Sequence, residues 1–205
     1  HGQWEKEVAA AEEKYAPYYA KLNAMSVEEL AQNEEALATG QRIFASNCAV
    51  CHGSTATGSV GFPNLTDNDW LYGGNADAIK HSITFGRNGA MPANGLKPDM
   101  TDTERKDITS YVLSLSGREG SGDASKGQAL YATACLACHG ADAKGMQAVG
   151  APNLTDNIWL YGGSEKQIEF TIRNGRAGVM PAWKEILGED KVHVLSGYVY
   201  SLSQK

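Results

Sequence analysis

One short pattern occurs twice, and so does the frame around it. Residues 48–53 read CAVCHG and residues 135–140 read CLACHG, an offset of 87. Residues 63–74 read PNLTDNDWLYGG and residues 152–163 read PNLTDNIWLYGG, an offset of 89. The two extra residues fall between His and Pro, in Gly-rich stretches that read as loops. At the offset of 89, Gly86, Arg87, Gly89, Met91 and Pro92 match Gly175, Arg176, Gly178, Met180 and Pro181. The units close on YVLSLS at 111–116 and YVYSLS at 198–203. A chain of 205 residues organised in this way is a duplicated small unit. The predicted division is an extension over 1–37, one unit over 38–119 and a second over 120–205. The Gly/Ser-rich stretch Gly117–Gly122 has the composition of a linker between them.

All four cysteines belong to the repeated pattern, as Cys48/Cys51 and Cys135/Cys138, and each pair is followed at once by a histidine. Cys-x-x-Cys-His is the attachment pattern of c-type haem. The thiols are spaced to reach two vinyl groups as thioethers, and the adjoining histidine lies under the ring. His52 and His139 are therefore the candidate proximal iron ligands, and two covalently bound haem c groups are the expected cofactors. The alternatives are weaker. A zinc site built from both pairs would join two self-contained repeats and leave the histidines unexplained. A thioredoxin-type redox pair wants a strand-to-helix setting. A disulfide across two residues closes too short a loop to stabilise much.

The sixth iron position is filled by Met, His or Lys, or left open. Met91 and Met180 each precede proline and occupy matched positions, and proline fixes the backbone that carries the thioether. Met100 is matched by Glu189, Met146 lies seven residues past His139, and Met25 lies in the extension. His81 and His193 have no histidine counterpart and read as surface or satisfied side chains, with bis-His ligation at one site left open. His/Met ligation saturates the iron, gives oxygen and peroxide no place to bind and raises the potential relative to bis-His. That chemistry suits the passage of single electrons.

Around each site, Pro63 and Pro152 offer backbone carbonyls to the second nitrogen of the histidine. Trp70, Tyr72, Trp159 and Tyr161 either hold the haem propionates and wall off water, or are plain core aromatics with satisfied polar tips. Arg87 and Arg176 are matched cations that either pair with propionates or sit on the surface. Asn64-Leu-Thr66 and Asn153-Leu-Thr155 match the glycosylation pattern by accident, since they lie inside the repeat.

Periodicity predicts helices throughout. Gly40-x-x-x-Phe44 and Gly127-x-x-x-Tyr131 lie on helices of about three turns before each Cys pair. Thr101-x-x-Glu104 predicts a capping box opening a helix through Leu115, with Ile108, Tyr111, Val112 and Leu115 on one face. Val192, Leu195, Tyr198, Val199 and Leu202 repeat that stripe. Ser164-x-x-Gln167 caps a shorter helix. No alternation is long enough to demand a sheet. In the extension, Pro17 is expected to end or kink a first helix, and Ser26-x-x-Glu29 to cap another reaching about Ala38. Trp4, Tyr15, Tyr18, Tyr19 and Leu22 form an apolar side that packs on the units, unless the extension is a solvated spacer. Residues 1–37 hold three Lys and eight Glu, and carry most of the chain's net charge of −6. That balance, without a basic stripe, excludes a nucleic-acid binder. No apolar run is long enough to span a bilayer. A chain that starts at His1 is expected to be processed or truncated.

These residues together resemble class I cytochrome c domains: the Gly-x-x-x-aromatic helix, CxxCHG, Gly-x-Pro-Asn-Leu, Met-Pro and the closing aromatic helix. The repeated PNLTDNxWLYGG, the GRxGxMP and the closing YVxSLS, over about residues 38–203, resemble the periplasmic part of the dihaem subunit III of cbb3-type cytochrome c oxidases. The resemblance implies an all-α fold of two tandem class I cytochrome c domains with an N-terminal helical extension, the first and last helices of a domain crossing near the haem edge. It implies His52, Met91, His139 and Met180 as the axial ligands. It implies an electron-transfer module, not an enzyme, that takes electrons from small soluble cytochrome c donors and passes them to membrane oxidase subunits, where oxygen is reduced. The compartment implied is the periplasm, with anchorage to the inner membrane through segments absent from this chain. A free dihaem carrier similar to cytochrome c4, and a dihaem peroxidase with one open haem face, are the alternatives.

Overall fold

Side-chain caps fix where most of the helices begin. The computed structural model describes residues 2–204. The elements run α1 (Gly2–Asn23), α2 (Val27–Leu30), α3 (Glu34–Asn47), α4 (Ala49–His52), α5 (Ala76–Phe85), β1 (Arg87–Met91), α6 (Asp102–Ser114), α7 (Ala124–Ala134), α8 (Leu136–His139), α9 (Glu165–Asn174), β2 (Arg176–Met180), α10 (Lys184–Leu187) and α11 (Glu189–Leu202). Ser26, Thr101 and Ser164 each make a full capping box, with Glu29, Glu104 and Gln167. Asn33, Asn75 and Asp123 cap α3, α5 and α7 through side-chain oxygens that accept backbone N–H groups left free by the first turn.

The extension departs from expectation in two places. Pro17 does not end the first helix, and α1 continues to Asn23. An interior proline costs about 3 kcal/mol. The turns beyond it are held by docking: Leu22 is fully buried with Leu30, Ala36 and Val194, and the Tyr18 hydroxyl lies 2.6 Å from Thr39 Oγ1. The helix opened by Ser26 stops at Leu30, and Asn33 starts a new one by accepting the Ala36 N–H at 3.0 Å. The position 37/38 therefore lies inside α3. Tyr15 is exposed and Tyr18 and Tyr19 are half-buried, so the C-terminal part of α1 packs while Tyr15 faces solvent. The side chain of Trp4 lies outside the described residues.

The fold is largely helical, with one correction. Arg87–Met91 and Arg176–Met180 form a two-stranded antiparallel sheet in which Arg87 pairs with Met180, Gly89 with Gly178 and Met91 with Arg176. RNGAM and RAGVM carry no apolar alternation, so this ribbon is made by tertiary pairing and not by local preference.

The sequence repeats and the packing units differ. One core gathers Phe44 of α3, Ala56, Ile79 and Ile83 of α5, and Val192, Leu195 and Val199 of α11. The other gathers Ile108, Val112 and Leu113 of α6, Tyr131 and Ala134 of α7, Ala143, Leu154, and Ile168 and Ile172 of α9. The closing helix of each repeat thus lies on the opening helix of the other repeat, where the resemblance had implied pairing within one domain. The stretch Gly117–Gly122 joins α6 to α7 and is itself tied down. Gly122 N donates to Ser110 Oγ at 2.8 Å, and Ser121 donates through N and Oγ to Glu165 at 2.7 and 2.6 Å.

Two glycines permit the helix crossings. A Cβ on Gly127 would fall on the Asp107 carbonyl and 2.8 Å from Tyr111 Cβ, and one on Gly40 would fall on Tyr198 Cβ and 3.2 Å from the Val194 carbonyl oxygen. Alanine is worth about 1 kcal/mol over glycine in a helix interior, whereas overpacking against a backbone that cannot yield costs about 1–3 kcal/mol. Gly127→Ala is therefore expected to lower stability on balance, as read by a drop in the urea midpoint.

Candidate functional site

Each Cys-x-x-Cys-His segment is a single helical turn continuing from a longer helix. Cys48 caps the end of α3 and the start of α4, and Cys135 does the same for α7 and α8. The turn closes through His52 N to Cys48 O and His139 N to Cys135 O, both at 3.0 Å. Gly53 and Gly140, at φ +78° and +79°, then turn the chain away. One turn of helix places both thiols and the imidazole around a common edge.

The loops that follow return to the histidines. Gly58 N donates to His52 O and Gly145 N to His139 O, both at 2.9 Å, and Leu65 N and Leu154 N donate to Ala56 O and Ala143 O at 2.8 Å. These bonds set the Pro63 carbonyl 3.0 Å from His52 Nδ1 and the Pro152 carbonyl 3.1 Å from His139 Nδ1. Both histidines are buried. A carbonyl at Nδ1 fixes the tautomer that carries its proton there, which leaves Nε2 as the lone-pair nitrogen. Burial lowers the pKa of His139, partly opposed by the Pro152 bond, and so favours the neutral ring.

The cysteines are free thiols, with Cys51 exposed and the other three half-buried. Burial, reinforced by the neighbouring cysteine, pushes both Cys48 and Cys135 up to about 11. They are therefore protonated at neutral pH. Among the described residues no group of three or more His, Cys, Asp or Glu side chains stands together as a metal site.

The methionines arrive from across the molecule. Met180 packs on the core that holds Cys48, Ala49, Leu65 and Trp70, and Met91 packs on the core that holds Cys135 and Trp159. The chain after each is anchored on the same side, by Trp183 N to Ile83 O at 3.0 Å and Asn94 N to Ile172 O at 2.7 Å. The structure therefore packs Met180 on the same core as Cys48, and Met91 on the same core as Cys135. Met100 is core, Met146 is exposed, and Met25 borders the third cluster. His193 is held between Lys80 Nζ and the Met25 carbonyl, and His81 is exposed beside Phe85.

The repeated WLYGG segments have a common logic. A Cβ on Gly74 or Gly163 would strike the indole of Trp70 or Trp159, so the last glycine is the seat of the tryptophan. The Arg87 guanidinium stands 4.6 Å over the Tyr72 ring with Nε donating to Ser82 Oγ at 2.8 Å, and Arg176 stands 4.2 Å over Tyr161 and donates to Thr171 Oγ1. Tyr72 lies against Gly150 of the other repeat, where a Cβ would enter its ring, so these loops also join the repeats.

Two residues escaped the sequence reading because neither recurs in the repeat. Arg118, just past α6, lies 5.5 Å from the Trp159 ring and donates from Nη1 to Gly163 O at 2.6 Å. Its Nη2 and Trp159 Nε1 are buried with no protein acceptor. Unmet donors of this kind suit an anionic carboxylate of a bound group, and with the free thiols and the oriented imidazoles they make the residues present fit a haem. Arg105 is the other. Nearly buried, it donates from Nη1 to Asn94 Oδ1 at 3.0 Å and to Met100 O at 2.6 Å, and it pairs with Asp102. It braces the loop that follows Met91. Arg105→Ala is expected to cost about 1–3 kcal/mol through the acceptors it strands and to loosen the Met91 loop, as read by faster amide hydrogen exchange at residues 94–100.

A helical chain with two Cys-x-x-Cys-His turns, each on its own apolar core with a methionine loop beside it, is built from units of the class I cytochrome c kind. Residues 35–112 and 122–199 match the family described as "Cytochrome C oxidase, cbb3-type, subunit III", and the chain belongs to that family. It is 49% identical over 204 residues to "Cbb3-type cytochrome c oxidase subunit CcoP" of Rubrivivax gelatinosus, covering 99% of this chain and 66% of that protein. It is 44% identical over 200 residues to "Cbb3-type cytochrome c oxidase subunit FixP" of Bradyrhizobium sp. (strain ORS 278), covering 89% of this chain and 69% of the relative. A CcoP subunit of Rhodobacter capsulatus is 38% identical over 97% of this chain and 74% of its own length. The chain spans just under two thirds of the Rubrivivax protein. Among the described residues no helix is long and apolar enough to cross a membrane.

Proposed function

We propose that this chain binds two haem c groups covalently, through Cys48 and Cys51 and through Cys135 and Cys138, and relays single electrons toward the catalytic core of a cbb3-type oxidase. When bound, haem supplies an iron that changes by one electron between its ferric and ferrous states. His52 and His139 offer Nε2 to it, since Pro63 and Pro152 occupy Nδ1. Met180 would supply the second protein ligand at the His52 site and Met91 at the His139 site. An iron held on both sides by the protein would pass electrons and leave oxygen reduction to another subunit. Trp159 and Arg118 take a propionate at the second site. Trp70 shields the first, and Arg87 and Arg176, backed by Tyr72 and Tyr161, place positive charge beside each.

The supporting observation is that the first cysteine of each Cys-x-x-Cys-His turn, Cys48 or Cys135, packs on the same apolar core as one Met-Pro methionine, Met180 or Met91. The partners that follow are small soluble cytochrome c donors and membrane oxidase subunits. The compartment is the periplasm, where c-type haem is attached, and the full-length protein is held at the inner membrane. Intact-mass measurement of the protein made in a host that attaches haem c is expected to give the polypeptide plus two haems. The reduced protein is expected to be low-spin and not to bind carbon monoxide. The mass of the bare polypeptide, or carbon monoxide binding at either iron, overturns the reading.

A further inference from the structure

The ribbon that carries both methionines has a consequence for how the two sites behave. Each strand starts at one site and ends at the other. β1 leaves α5 through Gly86 beside the Cys48 core and delivers Met91 to the Cys135 core. β2 leaves α9 through Gly175 and delivers Met180 the opposite way. The register places Gly89 opposite Gly178 at the centre and each methionine opposite the arginine of the other strand.

The start of each strand also touches the end of its partner. A Cβ on Gly86 would fall on the Met180 carbonyl and 2.8 Å from Ala182 N, and one on Gly175 would fall on the Met91 carbonyl and 2.8 Å from Ala93 N. The middle of the ribbon is backed by tyrosine hydroxyls. Tyr72 Oη lies 3.0 Å from the Cβ position of Gly89, and Tyr161 Oη lies 3.5 Å from that of Gly178. Beyond each methionine the backbone is anchored to α5 or α9 within three residues. A displacement of Met180 therefore has little slack to take up except through the strand it is paired with, and that strand ends on Met91. Packed protein passes such shifts on, because it is dense and little compressible.

We propose that Gly89 and Gly178 are positioning residues that lock the two thioether ligands into one ribbon, so that release of methionine from one iron weakens the hold of methionine on the other. The proposal deepens the haem reading above and rests on it. Met91 and Met180 do not behave as two independent ligands; they are the two ends of one clamp.

The test is a titration of the oxidised, fully haem-loaded protein with imidazole, which displaces axial methionine. The methionine–iron charge-transfer absorbance is the readout, and catalysis plays no part. Coupled ligands are lost with a Hill coefficient above 1. A Hill coefficient of 1 or less, or two separate phases, overturns the coupling. If the charge-transfer band is missing from the untreated protein, the ligation reading itself fails, so the two failures are distinguishable. Gly89→Val, which presses on Tyr72 from the ribbon's centre, is expected to lower the imidazole concentration for half-displacement at both sites together. A change at one site alone, or at neither, counts against the ribbon. The titration of the unmodified protein stands whether or not that variant folds.

Discussion

Met180→Ala should open the iron site built on Cys48, Cys51 and His52, and leave Met91 in place, though held more weakly, at the site whose cysteines lie in the same repeat as Met180. The expectation follows from packing. Met180 lies on the core of Phe44, Ile79 and Ile83, and the chain just after it is bonded to Ile83 O. Loss of the thioether is expected to lower the potential of that haem by a measurable part of the ~0.8 V that axial ligands span, and to let carbon monoxide bind it. A background with Cys135→Ser and Cys138→Ser keeps only the first haem and makes the assignment unambiguous. In that background Met180→Ala should abolish the methionine–iron band and Met91→Ala should leave it in place. The reverse outcome would mean that each repeat ligates its own iron. Fold-wide damage does not account for the contrast, because both substitutions remove a half-buried side chain at equivalent ends of the same ribbon.

The local geometry of each Cys-x-x-Cys-His turn was legible in the sequence because it depends on short, rigid spacings. One helical turn sets Cys48, Cys51 and His52, and the bonds at Gly58 and Leu65 bring the Pro63 carbonyl to the imidazole. The repeat supplied a second copy of each spacing. What the repeat could not reveal is which copy closes on which. The stripe on α6 and the stripe on α11 are equivalent, so either helix covers either opening helix with the same kind of contact. Phe44 meets Tyr198 at 5.6 Å between ring centres, and Tyr131 meets Tyr111 at 5.3 Å. One signal did distinguish them. The stretch Gly117–Gly122 between α6 and α7 is short, and short connections make antiparallel neighbours of the helices they join. Composition marks the stretch as a linker, but its length is the stronger constraint. The ribbon was invisible because neither strand alternates, and Arg105 and Arg118 were missed because each is unique to one repeat. The tight turn at Asn33 was hidden inside an Ala/Glu-rich run that reads as continuous helix.

Cleavage between the repeats is expected to give two pieces that fold only together. A piece ending at Ser116 keeps α3, α4 and α5 but loses α11, which leaves Phe44, Ala56, Ile79 and Ile83 without the cover of Val192, Leu195 and Val199. It keeps α6 with nothing to lie on, since Ile108, Val112 and Leu113 pack on Tyr131, Ile168 and Ile172 of the other piece. The second piece has the mirrored deficit. Exposing a buried Leu, Ile, Val or Phe side chain costs about 1.5–3 kcal/mol each, and several are exposed on each side, against a total stability of about 5–15 kcal/mol for an ordinary domain. Neither half has a core it can complete alone. Mixing the two refolded pieces should therefore restore helical circular dichroism at a 1:1 ratio, whereas a protein of two autonomous domains would give two helical pieces that ignore each other. The same logic applies to a single proteolytic nick within Gly117–Gly122, after which the halves are expected to co-elute on gel filtration and to part only in denaturant.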